Sequence, residues 1–510
     1  MLKFTLSDNL DYIHLIDSDN AEEVKNLDNY LTREVDNARF HPLVKKKLWN
    51  GKIQFLDKFN RISSGLYGEL YKFSKDLNVD ISISNIEKIF DIEIKKEDFV
   101  KFIEEKLKNC KFQPRDYQLD AAFNILKYRR SLSEIATSAG KTFIFFLVFL
   151  YLKEIKKINK MLIIVPALSL ISQFDEDFEE FSEAIEFEYI SQKIGGGEKK
   201  VKKDCNIIIG TFQTLSNLDA KFFEDIDAVG VDEAHHSSTK SVIKVLSQIN
   251  SDYRFGMSGT LKLNGSATSF TLQSGLGPPV NNISAKYLFD NEYAAKVNIK
   301  VLVLDYLNNE TKEQLLRIRR DKTIDGSKKI ALEKKLILSN ELRFNFILKL
   351  IKNLKKNTLV LFTDIQSSYG KNIFERLKLD TDKTCYYIDG NTDGKFRDYY
   401  KKEMDVEDSD SDNGKILVAS FGTFKQGISI KNIHNIVFVE SYKSEIIVKQ
   451  SIGRGMRLLE GKDGVNIYDI VDDFSFHNSD NYMMQHMKAR IEIYERDSYP
   501  YNIHKIDLKN

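Results

Sequence analysis

The chain has 510 residues, 42% of them hydrophobic and 30% charged, an ordinary globular balance with room for two to four domains. A formal net charge of +1 excludes any global acidic or basic bias, so a nucleic-acid partner has to be argued from local patches. Three widely separated cysteines (Cys110, Cys205, Cys385), a longest apolar run of ten residues (Phe143 to Leu152) and no apolar leader argue against a disulfide framework, a zinc site or a membrane span, and a reducing cytoplasm is expected.

The N-terminal hundred residues stand apart. FTLSDNLDYIHLID (4–17) alternates like one half-exposed strand, and NAEEVKNLDNYLT (20–32) has the periodicity of a helix, so a small α+β domain is expected. Within it Lys45, Lys46, Lys47, Lys52, Lys58 and Arg61 are interleaved with Trp49, Phe55 and Phe59. Lysines neutralise phosphates and aromatic rings stack on bases, so Lys47, Trp49 and Lys52 are candidate nucleic-acid contacts. A charged edge over a small core anchored by Trp49 fits the same residues equally well.

IATSAGKT (135–142) comes next. It ends like a phosphate-binding loop, but Ile135 stands where the first glycine of G-x-x-x-x-G-K-[ST] belongs. Thr137, Ser138, Ala139 and Gly140 are small enough for the backbone to approach a phosphate. Lys141 could reach the β- and γ-phosphates, and the Thr142 hydroxyl could hold magnesium. An accidental helix start fits this stretch as well when it is taken alone. The helix expected over 141–152 is apolar almost all round, as one buried against a sheet would be.

Short apolar runs follow at 160–165, 206–209, 226–231 and 253–257, and again at 357–362, 384–388, 415–420, 434–439 and 466–470. With amphipathic stretches between them they predict two α/β domains with parallel sheets, joined near 290–298. The expected boundaries are 1–98, 99–290 and 291–510. The run at 226–231 leads into Asp232-Glu233-Ala234-His235. Two acids at the C-terminal edge of a buried strand are costly unless they bind something: Asp232 could hold magnesium and Glu233 could polarise water. Residues 310–342 read as a highly charged, solvated helix pair, with a nucleic-acid contact as the sharper alternative, and DVEDSDSDNG (405–414) as an acidic surface loop. In QSIGRGMR (450–457), Gln450, Arg454 and Arg457 share one helical face, suited either to charge developing on a γ-phosphate or to solvent.

Together, and in this order, these elements resemble the superfamily 2 helicases, over roughly residues 112–457. FQPRDYQ (112–118) resembles the Q motif, which implies that Arg115 and Gln118 belong to the adenine end of the site. ATSAGKT resembles motif I, IIVPALSLISQF (163–174) motif Ia, IGTFQTL (209–215) motif Ic, DEAH motif II and SGT (258–260) motif III. In the second series LVLFTDIQSSYGKNIFERL (359–377) resembles motif IV, ASFGTFKQGISI (419–430) motif V and QSIGRGMR motif VI. Many relatives carry an Asp after the Gly-Ile of motif V; Ser429 stands there, which leaves Gly427 as that motif's nucleotide candidate.

The resemblance implies two RecA-like motor domains after the α+β domain, with ATP and Mg2+ held by Lys141, Thr142 and Asp232. It implies that Glu233 orients water, that Gln450, Arg454 and Arg457 complete the site, and that His235, Ser258 and Thr260 relay its state. Thr211, Thr363 and, more weakly, Phe421 are then candidate nucleic-acid contacts through motifs Ic, IV and V, with a capped loop or turn as the alternative for each. The N-terminal domain, ARFHPLVKKKLWNGKIQFLD (38–57), the TSAGK loop and KIGGG (193–197) are similar to those of phage recombination helicases. That implies a monomer acting on branched or forked DNA and R-loops, with single-strand-binding or recombination proteins as partners, in host cytoplasm. A duplex translocase without strand separation, an RNA helicase, a restriction-type motor subunit and a non-catalytic DNA-binding module are the competing readings. The intact Lys141, Glu233 and Arg454 argue against the last.

Overall fold

A computed structural model describes the chain except residues 196–203, 237–239, 262, 307–308, 364–367, 407–412, 426–429, 442–443, 457–458, 460–461, 478 and 509–510. The chain folds into two compact units, Met1–Ala136 with Gly140–Ile283, and Thr137–Ala139 with Ser284–Asn510.

In the first unit seven strands form one parallel sheet. Their order is Pro279–Ile283, Arg130–Ile135, Tyr253–Ser258, Ala228–Asp232, Met161–Val165, Ile207–Thr211 and Ser191–Ile194. The four strands expected from apolar runs are buried end to end, which is why they read as runs and not as alternations. Arg130–Ile135 (RSLSEI) and Pro279–Ile283 (PVNNI) have no such signature, and side-chain hydrogen bonds through Asn281 tie the two strands to each other and to the neighbouring helix. Asn281 Nδ2 donates to Ser133 Oγ at 2.9 Å and to the Ala121 carbonyl at 3.2 Å, and Asn124 Nδ2 donates to Asn281 Oδ1 at 2.9 Å.

The apolar helix Lys141–Glu154 is buried along Phe143–Leu152. Phe145 packs on Phe174 and Phe255, and Phe146 on Phe178. Gly230 makes room for this: a Cβ there would lie 2.4 Å from Phe145 Cε1.

The N-terminal segment is α+β as expected, but 4–17 is not one strand. Leu2–Leu6 and Tyr12–Ser18 pair antiparallel across a turn in which Leu10 has φ +59°. Arg61–Ser63 and Ile81–Ser84 complete a four-stranded mixed sheet. This layer shares its core with the first parallel sheet's surroundings: Phe4, Ile13, Leu66 and Phe73 cluster with Phe270 of the helix Ala267–Leu276. Asp11 adds an ionic tie. Its carboxylate lies 3.0 Å from both Arg130 Nη1 and Arg254 Nη2, at the starts of two central strands. Burial, and then the neighbouring Arg254 charge, push the Arg130 guanidinium down to about 10. Asp11→Ala would leave two like charges together without their shared anion. We expect a loss of about 1–3 kcal/mol, read as a lower urea midpoint. An unchanged midpoint would mean that the carbonyls of Asn9, Ser251 and Ile249 suffice for the two arginines.

The second unit has a second all-parallel seven-stranded sheet, in the order Cys385–Ile388, Ile416–Ser420, Thr358–Phe362, Asn435–Phe438, Gly464–Asp473, Lys296–Tyr306 and Tyr501–Leu508. The stretch expected to join the domains already enters a strand at Lys296. The last strand, YNIHKIDL, sits at the sheet edge and is mostly exposed, so its sequence carries neither an apolar run nor an alternation. The charged stretch forms the helices Asn309–Arg320 and Gly326–Leu338, a pair as expected, but not a simply solvated one. Leu315, Glu333 and Ile337 are buried. None of the three cysteines is in a disulfide, and among the described residues no helix is long and apolar enough to cross a membrane.

Candidate nucleotide site

Three neighbouring strands of the first sheet, Arg130–Ile135, Tyr253–Ser258 and Ala228–Asp232, send their C-terminal ends to one edge, where parallel sheets bind ligands. Ile135 is the buried last residue of its strand, paired with Ile283. It belongs to the sheet and not to the loop, so the missing glycine costs nothing. In the loop itself Ser138 (φ +72°) and Gly140 (φ +77°) are left-handed. Such turns aim successive N–H groups inward and build an anion-binding concavity. Gly140 precedes the helix Lys141–Glu154 without a side-chain cap, which leaves the first-turn donors to a ligand. A Cβ at Gly140 would lie 2.4 Å from Gln118 Nε2. Gln118 is buried, and its Oε1 accepts from the Arg115 amide at 3.0 Å, so the Q-motif pair lies beside the phosphate loop.

The acids complete this edge. Lys141 Nζ lies 3.6 Å from Glu233 Oε1. The other Glu233 oxygen accepts from Ser258 Oγ at 3.3 Å and lies 3.2 Å from His235 Nδ1. His235 Nδ1 is also 2.9 Å from Ser258 Oγ, which accepts from the Thr260 amide at 3.2 Å. The residues singled out for coupling are therefore one connected network around Glu233. Glu233 itself is held at φ +49°, a sparsely populated conformation for a non-glycine residue and one that clusters at functional sites.

Asp232 is buried, and its Oδ1 has no hydrogen-bond partner. Burial first, and then the Glu233 charge, push its carboxyl up to about 7, with Lys141 working the other way. Burial also acts to raise Glu233, but Lys141 and the His235 contact outweigh it and hold Glu233 well below the usual carboxylate range. One acid thus stays an anion while its neighbour is held towards its neutral form. An orphaned buried carboxylate oxygen fits a cation ligand.

In the second unit Gln450 (buried, its Oε1 without a partner) and Arg454 (half-buried) lie on the helix Glu445–Gly455. Arg457, Gly427 and Ser429 lie outside the described residues, as do 407–412 of the acidic loop. The Thr363 amide donates to Glu440 Oε1 at 3.1 Å and its hydroxyl bonds the other oxygen of that carboxylate. Lys334 Nζ lies 2.7 Å from Glu440 and 3.1 Å from Thr363 Oγ1. Glu440 is a residue that the sequence reading misses. It follows a buried apolar strand, the same signal that singles out Asp232 and Glu233.

Two of the candidate nucleic-acid contacts have buried side chains. Phe421 is buried, because its helix starts directly on leaving the fully buried strand Ile416–Ser420, so its ring is core and not surface. Thr211 is buried too, and its hydroxyl caps the helix Phe212–Leu215 by accepting from the Thr214 amide. In the N-terminal segment Lys47 and Lys52 are exposed. Trp49 is half-buried, donates to the Lys52 carbonyl at 2.9 Å and meets His41 edge-on. Phe59 is exposed between Lys58 and Arg61, each about 5 Å from its ring centre.

Comparison with known proteins matches residues 111–263 to the family described as the res subunit of type III restriction enzymes, and residues 7–84 to the N-terminal domain of the DNA helicase UvsW. The ATP-dependent DNA helicase UvsW of Enterobacteria phage T4 is 30% identical over 94% of this chain and 95% of its own length. The DNA 3'-5' translocase XPB2 of Sulfurisphaera tokodaii is 27% identical over 40% of this chain and 43% of its own. The solved structure of the type ISP restriction-modification enzyme LlaBIII bound to DNA covers 78% of this chain and 32% of its own at 15% identity, with a TM-score of 0.58, and shares the fold. With nearly its whole length matched at this identity, and with both motor sheets and the motif edge in place, the chain belongs to the UvsW family of superfamily 2 helicases.

Proposed function

We propose that the chain is an ATP-dependent DNA helicase that moves on branched or forked DNA, driving branch migration, fork regression and R-loop unwinding in recombination and repair. The observation that carries this reading is the Glu233 network, which ties the lysine of the phosphate loop to His235, Ser258 and Thr260. The name of its phage T4 relative, a DNA helicase, supports DNA as the substrate.

In this reading the loop N–H groups and Lys141 hold the β- and γ-phosphates, Thr137, Ser138 and Ala139 shape the loop, and Arg115, Gln118 and Gly427 serve the nucleoside. Thr142 and Asp232 would hold Mg2+, which neutralises charge on the phosphate oxygens when bound. Glu233, kept ionised, accepts a hydrogen bond from the attacking water. Gln450, Arg454 and Arg457 offset charge on the γ-phosphate. His235, Ser258 and Thr260 pass a change at Glu233 to the loops after their strands. Lys47, Lys52 and the exposed face of Trp49 are retained as DNA contacts. A monomer working with single-strand-binding or recombination proteins completes the proposal.

The test is an ATPase and unwinding panel over single strands, forks, four-way junctions, R-loops and matched RNA. We expect ATP hydrolysis to rise with DNA and unwinding to favour branched substrates. Stimulation by RNA alone, or turnover indifferent to every nucleic acid, would sink the reading. Stimulation by linear duplex without unwinding of any branched substrate would make the chain a translocase.

A further inference from the structure

We propose that the outer face of the helical pair Asn309–Arg320 and Gly326–Leu338 is a separate docking surface for the phosphate backbone of duplex DNA. The inference rests on the reading of the chain as a DNA-stimulated ATPase.

The inner side of the pair is fastened. Leu315 and Ile337 enter the core of the second unit. Buried Glu333 accepts from Asn481 Nδ2 at 2.9 Å and from the Met483 amide at 3.2 Å, and so caps the first turn of the helix Tyr482–Arg496. Arg319 donates to the carbonyls of Ser479 and Asp480. Lys334 reaches Glu440 and Thr363 at the end of the strand Thr358–Phe362. With its polar anchors pointing inward, the pair is a fixed platform and not a loose arm.

The outer side is basic. Arg317 and Arg320 lie at i and i+3 on the first helix, Lys328 and Lys335 at i and i+7 on the second, and all four are exposed, as is Lys322 between the helices. Across the pair the exposed acids are Glu310, Glu313 and Asp325 among the described residues. Glu313 makes only an exposed 3.7 Å pair with Arg317, which is worth little, and Asp325 is taken up as the cap of the second helix. Residues 309–338 contain no Phe, Tyr or Trp. A surface that holds single strands combines charge with rings on which bases stack. This one offers charge without rings, the chemistry of a duplex backbone contact that reads no sequence. The N-terminal segment, with Phe59 and Trp49 among its lysines, has the opposite character.

The test titrates full-length protein carrying Arg317→Ala, Arg320→Ala, Lys328→Ala and Lys335→Ala with linear duplex DNA at several salt concentrations, reading ATP hydrolysis. All four side chains are exposed, so folding should be unaffected, which circular dichroism checks. We expect DNA-free turnover and the rate at saturating DNA to be unchanged. The half-saturating duplex concentration should rise about tenfold or more at fixed salt. The slope of log affinity against log salt should become shallower by up to about 3.6, about 0.9 for each phosphate no longer neutralised. An unchanged half-saturation and slope, beside a wild type that DNA stimulates normally, would overturn the inference and leave the functional reading standing. An equal shift with single-stranded DNA would overturn the duplex assignment. A wild type that no DNA stimulates would instead overturn the functional reading, and this inference with it.

Discussion

Glu233→Gln is expected to lower ATP turnover by about 10²–10⁴-fold while nucleotide binding stays within a few-fold of wild type. The substitution keeps the shape of the side chain and its reach to Ser258 and His235, 3.3 and 3.2 Å away. It removes the charge that Lys141 and His235 stabilise, and with it the anion that can accept a proton from water. Lys141→Ala should differ in kind. It deletes the cation beside the two acids and the group proposed to grip the phosphates, so both binding and turnover should fall, turnover by about 10²–10³-fold. Steady-state ATPase at saturating DNA, beside equilibrium binding of a fluorescent nucleotide, separates the two patterns. A folded variant of either kind that keeps wild-type turnover would refute the assignment of this edge as the catalytic site.

Arg343→Met is expected to cost the second unit about 3–5 kcal/mol, the penalty for leaving a buried charge without its partner. Arg343 is fully buried. Its Nε donates to Asp472 Oδ1 at 2.7 Å, Nη1 to Tyr369 Oη at 2.5 Å and Nη2 to the Val439 carbonyl at 2.7 Å. Burial alone would lower its affinity for a proton, but Asp472 and the surrounding Tyr369 and Tyr306 hold it above the ordinary arginine range. In the variant Asp472 keeps the 2.6 Å hydrogen bond from Tyr306 but has no counter-charge from Arg343. Adding Asp472→Leu should recover part of the loss, because the uncompensated charge goes with it. Chemical unfolding followed by a probe in the second unit measures both. A single variant within about 1 kcal/mol of wild type would mean that water reaches Asp472.

The arrangement of motifs along the chain is readable from sequence, because local chemistry dictates it. Small residues before Lys141, acids at the end of a buried strand, and unbroken apolar runs at Met161–Val165 or 228–231 each follow from the immediate sequence. The strand Arg130–Ile135 that supports the phosphate loop is not readable in this way. Its serines and its Arg130 look like loop, and Asn281, some 150 residues away in sequence, is what satisfies Ser133. The last strand, Tyr501–Leu508, is hidden for the opposite reason: at a sheet edge neither face demands a pattern. Phe421 and Thr211 look like surface because their motifs sit at strand ends, yet each borders a short helix that turns its side chain inward.

What the sequence shows by itself is the candidate phosphate loop and its paired acids, since the spacing of Gly140, Lys141 and Thr142 at a helix start is a property of a few consecutive residues. Tertiary structure alone decided which charges meet. Asp11 finds Arg130 and Arg254, Lys334 finds Glu440 and Thr363, and Glu233 finds both Lys141 and Ser258. Those partners come from separate segments, and only the packing of strands, helices and turns in the fold sets the distances between them. A buried charge is stable only where its counter-charge arrives within a few ångströms.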